Sequence, residues 1–358
     1  MQSSEILVLS FFTSLVLCYL AIPAIIKVAE SKHLFDEPGG RKLHKQRVPN
    51  LGGLAILAGV IFTVSFMGNF TLCSHLQHIM AAIIVIIFVG LQDDIIGLPP
   101  FKKALGQIAA AAIIVVWGNL KITHMFGIFG IGALPEIVSV LFSIATIVLV
   151  INAINLIDGI NGLAATLSII ASFGFGTYFF QNEVNSQHAI IAFALAGALI
   201  AFLRFNLTPA RIFLGDTGSM LLGLLLSVLC FEFIALHKPM PLLAPKLQTA
   251  PVIAMSFIFL PLYDLFRVFT IRLMRKKSPF YPDQNHLHHL LLKLGLTHLK
   301  ATLVLSLVAI IIIITAFILR HINIHILGII LLLICLGFTY LLNYQLKKKG
   351  EVTINGKE

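Results

Sequence analysis

The chain has 358 residues, 58% of them hydrophobic and 11% charged, with a formal net charge of +10. Soluble domains carry about 25% charged residues, so this composition excludes a soluble globular protein and indicates an integral membrane protein. No segment is large enough to form a soluble nucleic-acid-binding domain, so the positive charge reads as topology plus attraction to anionic headgroups.

A helical span takes about 20 apolar residues. Eleven such stretches follow one another, at about 4–28, 50–69, 79–91, 104–120, 136–152, 160–180, 187–204, 218–236, 248–271, 301–319 and 324–344. The third is short unless it extends back through His78 and Leu76; without it the count is 10. The first run is too long for a signal peptide and lacks a small-residue cleavage site, so it reads as a span. Placing the N-terminus outside leaves 21 of the 25 Lys and Arg on the inner side, with only Lys121, Lys238, Lys246 and Arg320 outside. That bias is the positive-inside rule. The expectation is an all-α polytopic membrane protein of 10–11 helices, with a cytoplasmic C-terminus. One domain covers 1–346 and a basic tail, opening on Lys347-Lys348-Lys349, covers 347–358. Cys18, Cys73, Cys230 and Cys335 are scattered without metal-type spacing and read as structural filler.

The polar residues fall at inner helix ends. The first inner loop, Ser31 to Pro49, is rich in charge and includes Arg47; it leads into Asn50-Leu51-Gly52-Gly53. Paired glycines at a helix start let backbone N–H groups approach an anion, or simply allow close helix packing. The second carries Asp93-Asp94, then Pro99-Pro100 and Lys103. Adjacent carboxylates repel, so burying both favours a bound cation or a shared proton; the alternative is an ordinary helix end with snorkelling lysines. The third, Asn152 to Ala164, sets Asn155, Asp158, Asn161 and two glycines between apolar runs. A carboxylate near hydrocarbon costs roughly 2.5–3.5 kcal/mol, a cost that selection would remove unless the cluster did something. The fourth includes Phe213 and the tight turn Gly215-Asp216-Thr217-Gly218-Ser219, which suits a metal–phosphate complex or a helix cap. The fifth is basic, then reads Asp283-Gln284-Asn285-His286-Leu287-His288-His289. Its imidazoles could bind metal, but phosphate contact fits better without a closed ligand set.

If Asp93, Asp94, Asp158 and Asp216 converge within about 6 Å, each pair repels by roughly 3 kcal/mol at an effective dielectric near 20. A cluster of oxygen ligands then calls for Mg²⁺, with Mn²⁺ as the alternative, and water and phosphates completing the shell. Surrounding Lys and Arg, Lys103 and Arg47 among them, read as phosphate clamps. Acids, a divalent ion and cations at a lipid–water boundary are what phosphoryl transfer to a lipid requires.

Asp-Asp with Lys103 downstream, Asn-x-x-Asn-x-x-Asp-Gly-x-x-Gly-Leu, Phe-x-Gly-Asp-Thr-Gly-Ser and His-Leu-His-His occur in that order across residues 36–289. Together they resemble the polyprenyl-phosphate N-acetylhexosamine-1-phosphate transferases. The resemblance implies transfer of a sugar 1-phosphate from a UDP-sugar to undecaprenyl phosphate, with release of UMP, by a multi-pass enzyme of the bacterial plasma membrane whose site faces the cytoplasm. It implies Asp216, with Asp94, as Mg²⁺ ligands, and Asp93 and Asp94 as the pair that orients lipid phosphate or metal. By the same likeness Lys103 contacts phosphate, Phe213 stacks on uracil, Asn161 hydrogen-bonds it, and Asn155 and Asp158 line the nucleotide pocket. Arg47, His286, His288 and His289 complete the substrate-binding candidates, and a homodimer is compatible with the family.

The interrupted run His286-Leu287-His288-His289 is similar to the branch using UDP-N-acetylglucosamine for O-antigen, common-antigen or teichoic-acid linkage units. The peptidoglycan branch has three consecutive histidines. Another UDP-N-acetylhexosamine, or a transporter of nucleotide or lipid-linked sugar, is the alternative; a transporter would want matching halves with broken helices, and the sequence has none.

Overall fold

A computed structural model describes residues 3–35, 48–69, 73, 75–182, 186–207, 209–238, 247–276, 278 and 284–350. The described residues form thirteen α-helices, one isolated bridge between His124 and Ala133, and no strand. The helices are α1 (Ser3–Ser31), α2 (Gly52–Met67), α3 (Leu76–Ile96), α4 (Pro100–Ala112), α5 (Glu136–Ile157), α6 (Leu163–Gln181) and α7 (Ser186–Asn206). They continue with α8 (Gly215–Leu236), α9 (Ala250–Ser256), α10 (Phe259–Met274), α11 (Leu287–Lys293), α12 (His298–Ile318) and α13 (Ile324–Lys348). A π-helical turn, Ile113–Trp117, prolongs α4.

Every one of the eleven apolar stretches contains a helix, and the third does reach back to Leu76. Among the described residues, nine helices are long and apolar enough to cross a bilayer, and α9 with α10 makes a tenth if the bent pair is one span. That pair bends by 83°. Pro261 supplies a reason: its ring crowds the carbonyl of residue 257 and it has no N–H to give, which favours a break there. α2 has 16 residues, about 24 Å at 1.5 Å per residue, and so falls short of the roughly 30 Å hydrocarbon layer.

α8 is the axis of the bundle. Every residue from Thr217 to Ile234 is buried, as expected of a helix that is apolar all round. α2, α3, α5, α6 and α9 pack against it, while α1 lies outside on α7 and α2. Outward faces carry bare aliphatic and aromatic side chains, among them Phe12, Leu20, Phe88, Leu141, Ile314 and Leu333. An apolar surface so widely spread is one that lipid covers.

Small residues set the closest approaches, as in other membrane bundles. A Cβ on Gly53 would stand 2.2 Å from the backbone nitrogen of Gly218, so α2 meets the start of α8 backbone to backbone. Gly53→Ala should therefore push the two helices apart and destabilise the fold by about 1–3 kcal/mol. Gly328→Ala, with no described atom within 4 Å of the added carbon, should be neutral or stabilise by up to about 1 kcal/mol, since alanine is the better helix former. Thermal melts of the two purified variants beside the parent protein check both outcomes.

Candidate active site

The last turn of α3 holds Asp93 and Asp94, and the two neighbours point to different partners. Asp93 Oδ1 accepts from the backbone N–H of Leu98 at 2.7 Å, closing the turn that follows. Pro99 and Pro100 then start α4, where a proline in the first turn costs no hydrogen bond. One turn in, the Lys103 ammonium reaches Asp93 Oδ2 at 2.8 Å and also bonds Asp216 Oδ1 at the start of α8. Asp94 turns the other way. Its oxygens accept from Asp216 N at 2.7 Å, Thr217 N at 3.0 Å and Thr217 Oγ1 at 2.6 Å. A carboxylate on α3 thus caps the N–H groups at the start of α8, which have no partner of their own in the helix. Neither Asp216 nor Ser219 caps its own helix.

Gly215 makes this junction sterically feasible. It sits at φ +74, and a Cβ there would lie 2.1 Å from Asn50 O and 2.8 Å from Asp94 Oδ2. On its other side the chain pairs with the strand-like entry to α2: Phe213 N donates to Pro49 O at 2.8 Å, and Gly52 N donates to Phe213 O at 2.9 Å.

α5 brings the asparagine-rich stretch to the same place. Asn155 Nδ2 donates to Asp216 Oδ1 and, at 2.8 Å, to Ser219 Oγ. Asp158 follows the last residue of α5. Although its own surface is only partly covered, burial among surrounding protein atoms, then the charges of Asp216 and Asp94, push its carboxyl well above the usual carboxylate range. The next residue, Gly159, lies under His288: a Cβ there would come within 2.1 Å of His288 Nε2. Beyond it Gly162 N donates to Asn206 Oδ1 at 2.7 Å, and Asn206 Nδ2 donates to Ile212 O at 2.9 Å. This side chain ties the stretch to the segment leading into α8. Asn161 is held by its backbone, with its carbonyl accepting from Thr302 Oγ1 at 3.1 Å.

The histidines are positioned by α10. Asp264, 1% exposed, accepts from His286 Nδ1 at 2.9 Å, from Leu287 N at 3.1 Å and from Arg267 at 2.8 Å. Arg267 also donates to the Asn285 carbonyl. This buried pair fixes the start of α11, on which the rings of His286 and His288 stack with centroids 5.7 Å apart and His289 lies 4.2 Å from His288. Neither ring nitrogen of His288 has a hydrogen-bond partner among the described residues. Burial pushes its pKa down to about 3, so the ring is neutral and has one N–H to donate.

Of the residues expected from sequence, Asp93, Asp94, Lys103, Asn155, Asp158 and Asp216 thus come together, with His288 against Gly159. Phe213 enters through its backbone and is half-buried, as is Asn161. Arg47 and Asp283 lie outside the described residues. The roles of Thr217, Asn206 and the Asp264–Arg267 pair were not foreseen. The last had a readable signal, since opposite charges three apart inside an apolar run are rarely idle.

Residues 76–234, which hold the acids, Lys103 and both asparagines, match the sequence profile of glycosyl transferase family 4. Over 320 residues the chain is 32% identical to the probable undecaprenyl-phosphate N-acetylglucosaminyl 1-phosphate transferase of Bacillus subtilis, covering 88% of this chain and 85% of that protein. The chain belongs to glycosyl transferase family 4. Two further relatives are similar along most of their length. The undecaprenyl-phosphate alpha-N-acetylglucosaminyl 1-phosphate transferase of Escherichia coli (strain K12) is 28% identical over 312 residues, 86% of this chain and 81% of its own. The decaprenyl-phosphate N-acetylglucosaminephosphotransferase of Mycobacterium tuberculosis (strain ATCC 25618 / H37Rv) is 30% identical over 321 residues, 82% and 78% of the two chains.

Removing one partner of a buried ion pair leaves the other charge stranded, at about 3–5 kcal/mol. Asp264→Ala should lower the melting temperature of the purified protein on that scale and speed proteolysis between α10 and α11, because Arg267 loses its carboxylate partner and His286 its acceptor.

Proposed function

We propose that this protein transfers N-acetylglucosamine 1-phosphate from UDP-N-acetylglucosamine to undecaprenyl phosphate and releases UMP. The product would start a lipid-linked surface polysaccharide of the O-antigen, common-antigen or teichoic-acid linkage type. The observation that carries the reading is the convergence on Lys103 of Asp93 and Asp216, with Asn155, Asp94 and Asp158 around them. It supports the reaction because a diphosphate donor needs fixed positive charge beside acids that can hold a divalent ion. The curated relatives carry names of the same transfer to a polyprenyl phosphate.

Each side chain then has a task. Lys103 is a preorganised cation, held in place by two carboxylates before any substrate arrives. Asn155 fixes the rotamer of Asp216; both Lys103 and Asn155 bond its Oδ1, which leaves Oδ2 for a metal. Asp94 already accepts three hydrogen bonds from the start of α8, so in this reading it sets the position of Asp216 more than it ligates. Neutral His288 donates to a phosphate oxygen beside Asp158, and Phe213 and Asn161 border the base.

The donor set fits Mg²⁺, with Mn²⁺ as a substitute. It is all oxygen, and Asp158 feels the charges of both Asp216 and Asp94, a field that a hard cation relieves. Asp216 and Asp158 would hold the ion. When bound it would neutralise charge developing on the diphosphate.

In this reading all eleven stretches cross. α2 begins at the site, where Gly53 meets Gly218, and ends near Asn69, whose N–H bonds Gln187 Oε1 at 2.7 Å at the far end of α7. The clustering of Lys and Arg supports a site on the cytoplasmic side, with the N-terminus outside, and in this reading the membrane is the bacterial plasma membrane.

Purified protein supplied with labelled UDP-N-acetylglucosamine, undecaprenyl phosphate and Mg²⁺ should release UMP, and should stop when either lipid or metal is withheld. Lys103→Met should lower the rate by about 100-fold or more, the scale of losing one preorganised electrostatic contact. Uptake of nucleotide sugar into vesicles without UMP release would overturn the assignment.

A further inference from the structure

A second cluster of donor atoms lies at the opposite end of α8. Asp216 and Glu232 share that helix and are separated by about 24 Å at 1.5 Å per residue. Beside Glu232 stand Cys73 and His75, from the connection that precedes α3, and His188 in the first turn of α7. One donor atom from each of Cys73, His75 and His188 lies within 4.8 Å of the other two.

The carboxylate distances are informative. Nε2 of His75 and Nε2 of His188 lie 3.7 and 3.8 Å from the same oxygen of Glu232, Oε2. That is too long for a hydrogen bond. Two donors on a tetrahedral ion, with bonds of about 2.1 Å, stand roughly 3.4 Å apart, so the observed spacing is close to that of ligands around a shared centre. His188 adds an independent observation. It is 0% exposed, and neither of its ring nitrogens has a hydrogen-bond partner among the described residues. Burying unsatisfied polar atoms is costly, and a cation placed among these side chains would satisfy the one that faces Glu232.

We propose that Cys73, His75, His188 and Glu232 form a structural site for a borderline divalent ion of the zinc type. A sulfur and two imidazole nitrogens are donors that hard ions such as Mg²⁺ do not select, whereas a thiolate, two imidazoles and a carboxylate complete a tetrahedral zinc shell. Closing the shell needs a contraction of about an ångström from the widest spacing. The ion would staple the connection before α3 to α7 and α8, far from the acids. Cys73 would then be a ligand, where its isolated position in sequence reads as filler.

The test uses full-length protein in detergent, stripped with EDTA and titrated with Co²⁺ and then Zn²⁺. The expected result is one tightly bound Co²⁺ per chain that carries a thiolate-to-cobalt charge-transfer band and tetrahedral d–d absorption and is displaced by one Zn²⁺. Zn²⁺ should also raise the melting temperature of the parent protein. Cys73→Ser should lose the charge-transfer band and the thermal response while eluting as folded protein, and His188→Gln should weaken binding by roughly 100-fold or more. Absence of stoichiometric binding in the parent protein, or binding that both variants retain, would overturn the proposal. These readouts are independent of UMP release, so the site stands or falls apart from the transferase reading.

Discussion

The Lys103 ammonium, held between Asp93 and Asp216, is the contact on which the rest of the site depends. Carboxylates from α3, α5 and α8 meet at one end of a helix bundle, and each close pair repels by roughly 3 kcal/mol at an effective dielectric near 20. Without a positive group at the centre the helix ends would be driven apart. The chain supplies that group locally: a two-proline turn reverses direction immediately after the acids and presents Lys103 on the first turn of α4. The start of α8 contributes as well, since its N–H groups are bound by Asp94 and so oppose some of the negative charge.

This electrostatic demand shapes the packing. For Asp94 to reach the N–H groups of Asp216 and Thr217, α3 must lie against the first turn of α8, and for Asn155 to reach Asp216, α5 must end beside it. α8 accordingly runs through the middle of the bundle with every residue from Thr217 to Ile234 buried. Gly53 on α2 lets that helix close from the remaining side. The histidine-bearing helix α11 is placed by a different device, a buried Asp264–Arg267 pair on α10, so that His288 rests against Gly159. Two anchoring systems therefore converge on the end of α5, one reaching Asn155 through Asp216 and Lys103 and one placing His288 against Gly159.

Much of this was legible in the sequence. Apolar length alone marked every helical stretch except the short α11, and the confinement of Asp93, Asp94, Asp158 and Asp216 to helix ends of one parity pointed to their meeting. Other features depend on contacts that no local pattern encodes. Asp94 and Thr217 are 123 positions apart, and nothing in either neighbourhood says that one caps the other's helix. The kink between α9 and α10 is carried by Pro261 but hidden inside a continuous apolar run. Cys73 and His75 lie far along the chain from His188 and Glu232, so ligand spacing gave no warning of their assembly. Membrane helices that are apolar all round also lack the polar stripe that would reveal which face turns inward.

The central claim is that the acids around Lys103 form the seat of a divalent cation. Diffraction from crystals soaked in Mn²⁺, recorded where manganese scatters anomalously, tests it most directly. A peak about 2.1–2.3 Å from the Asp216 carboxylate and beside Asp158 is the predicted result. No peak there at saturating Mn²⁺, with the Lys103 contact to Asp216 intact, would contradict the account.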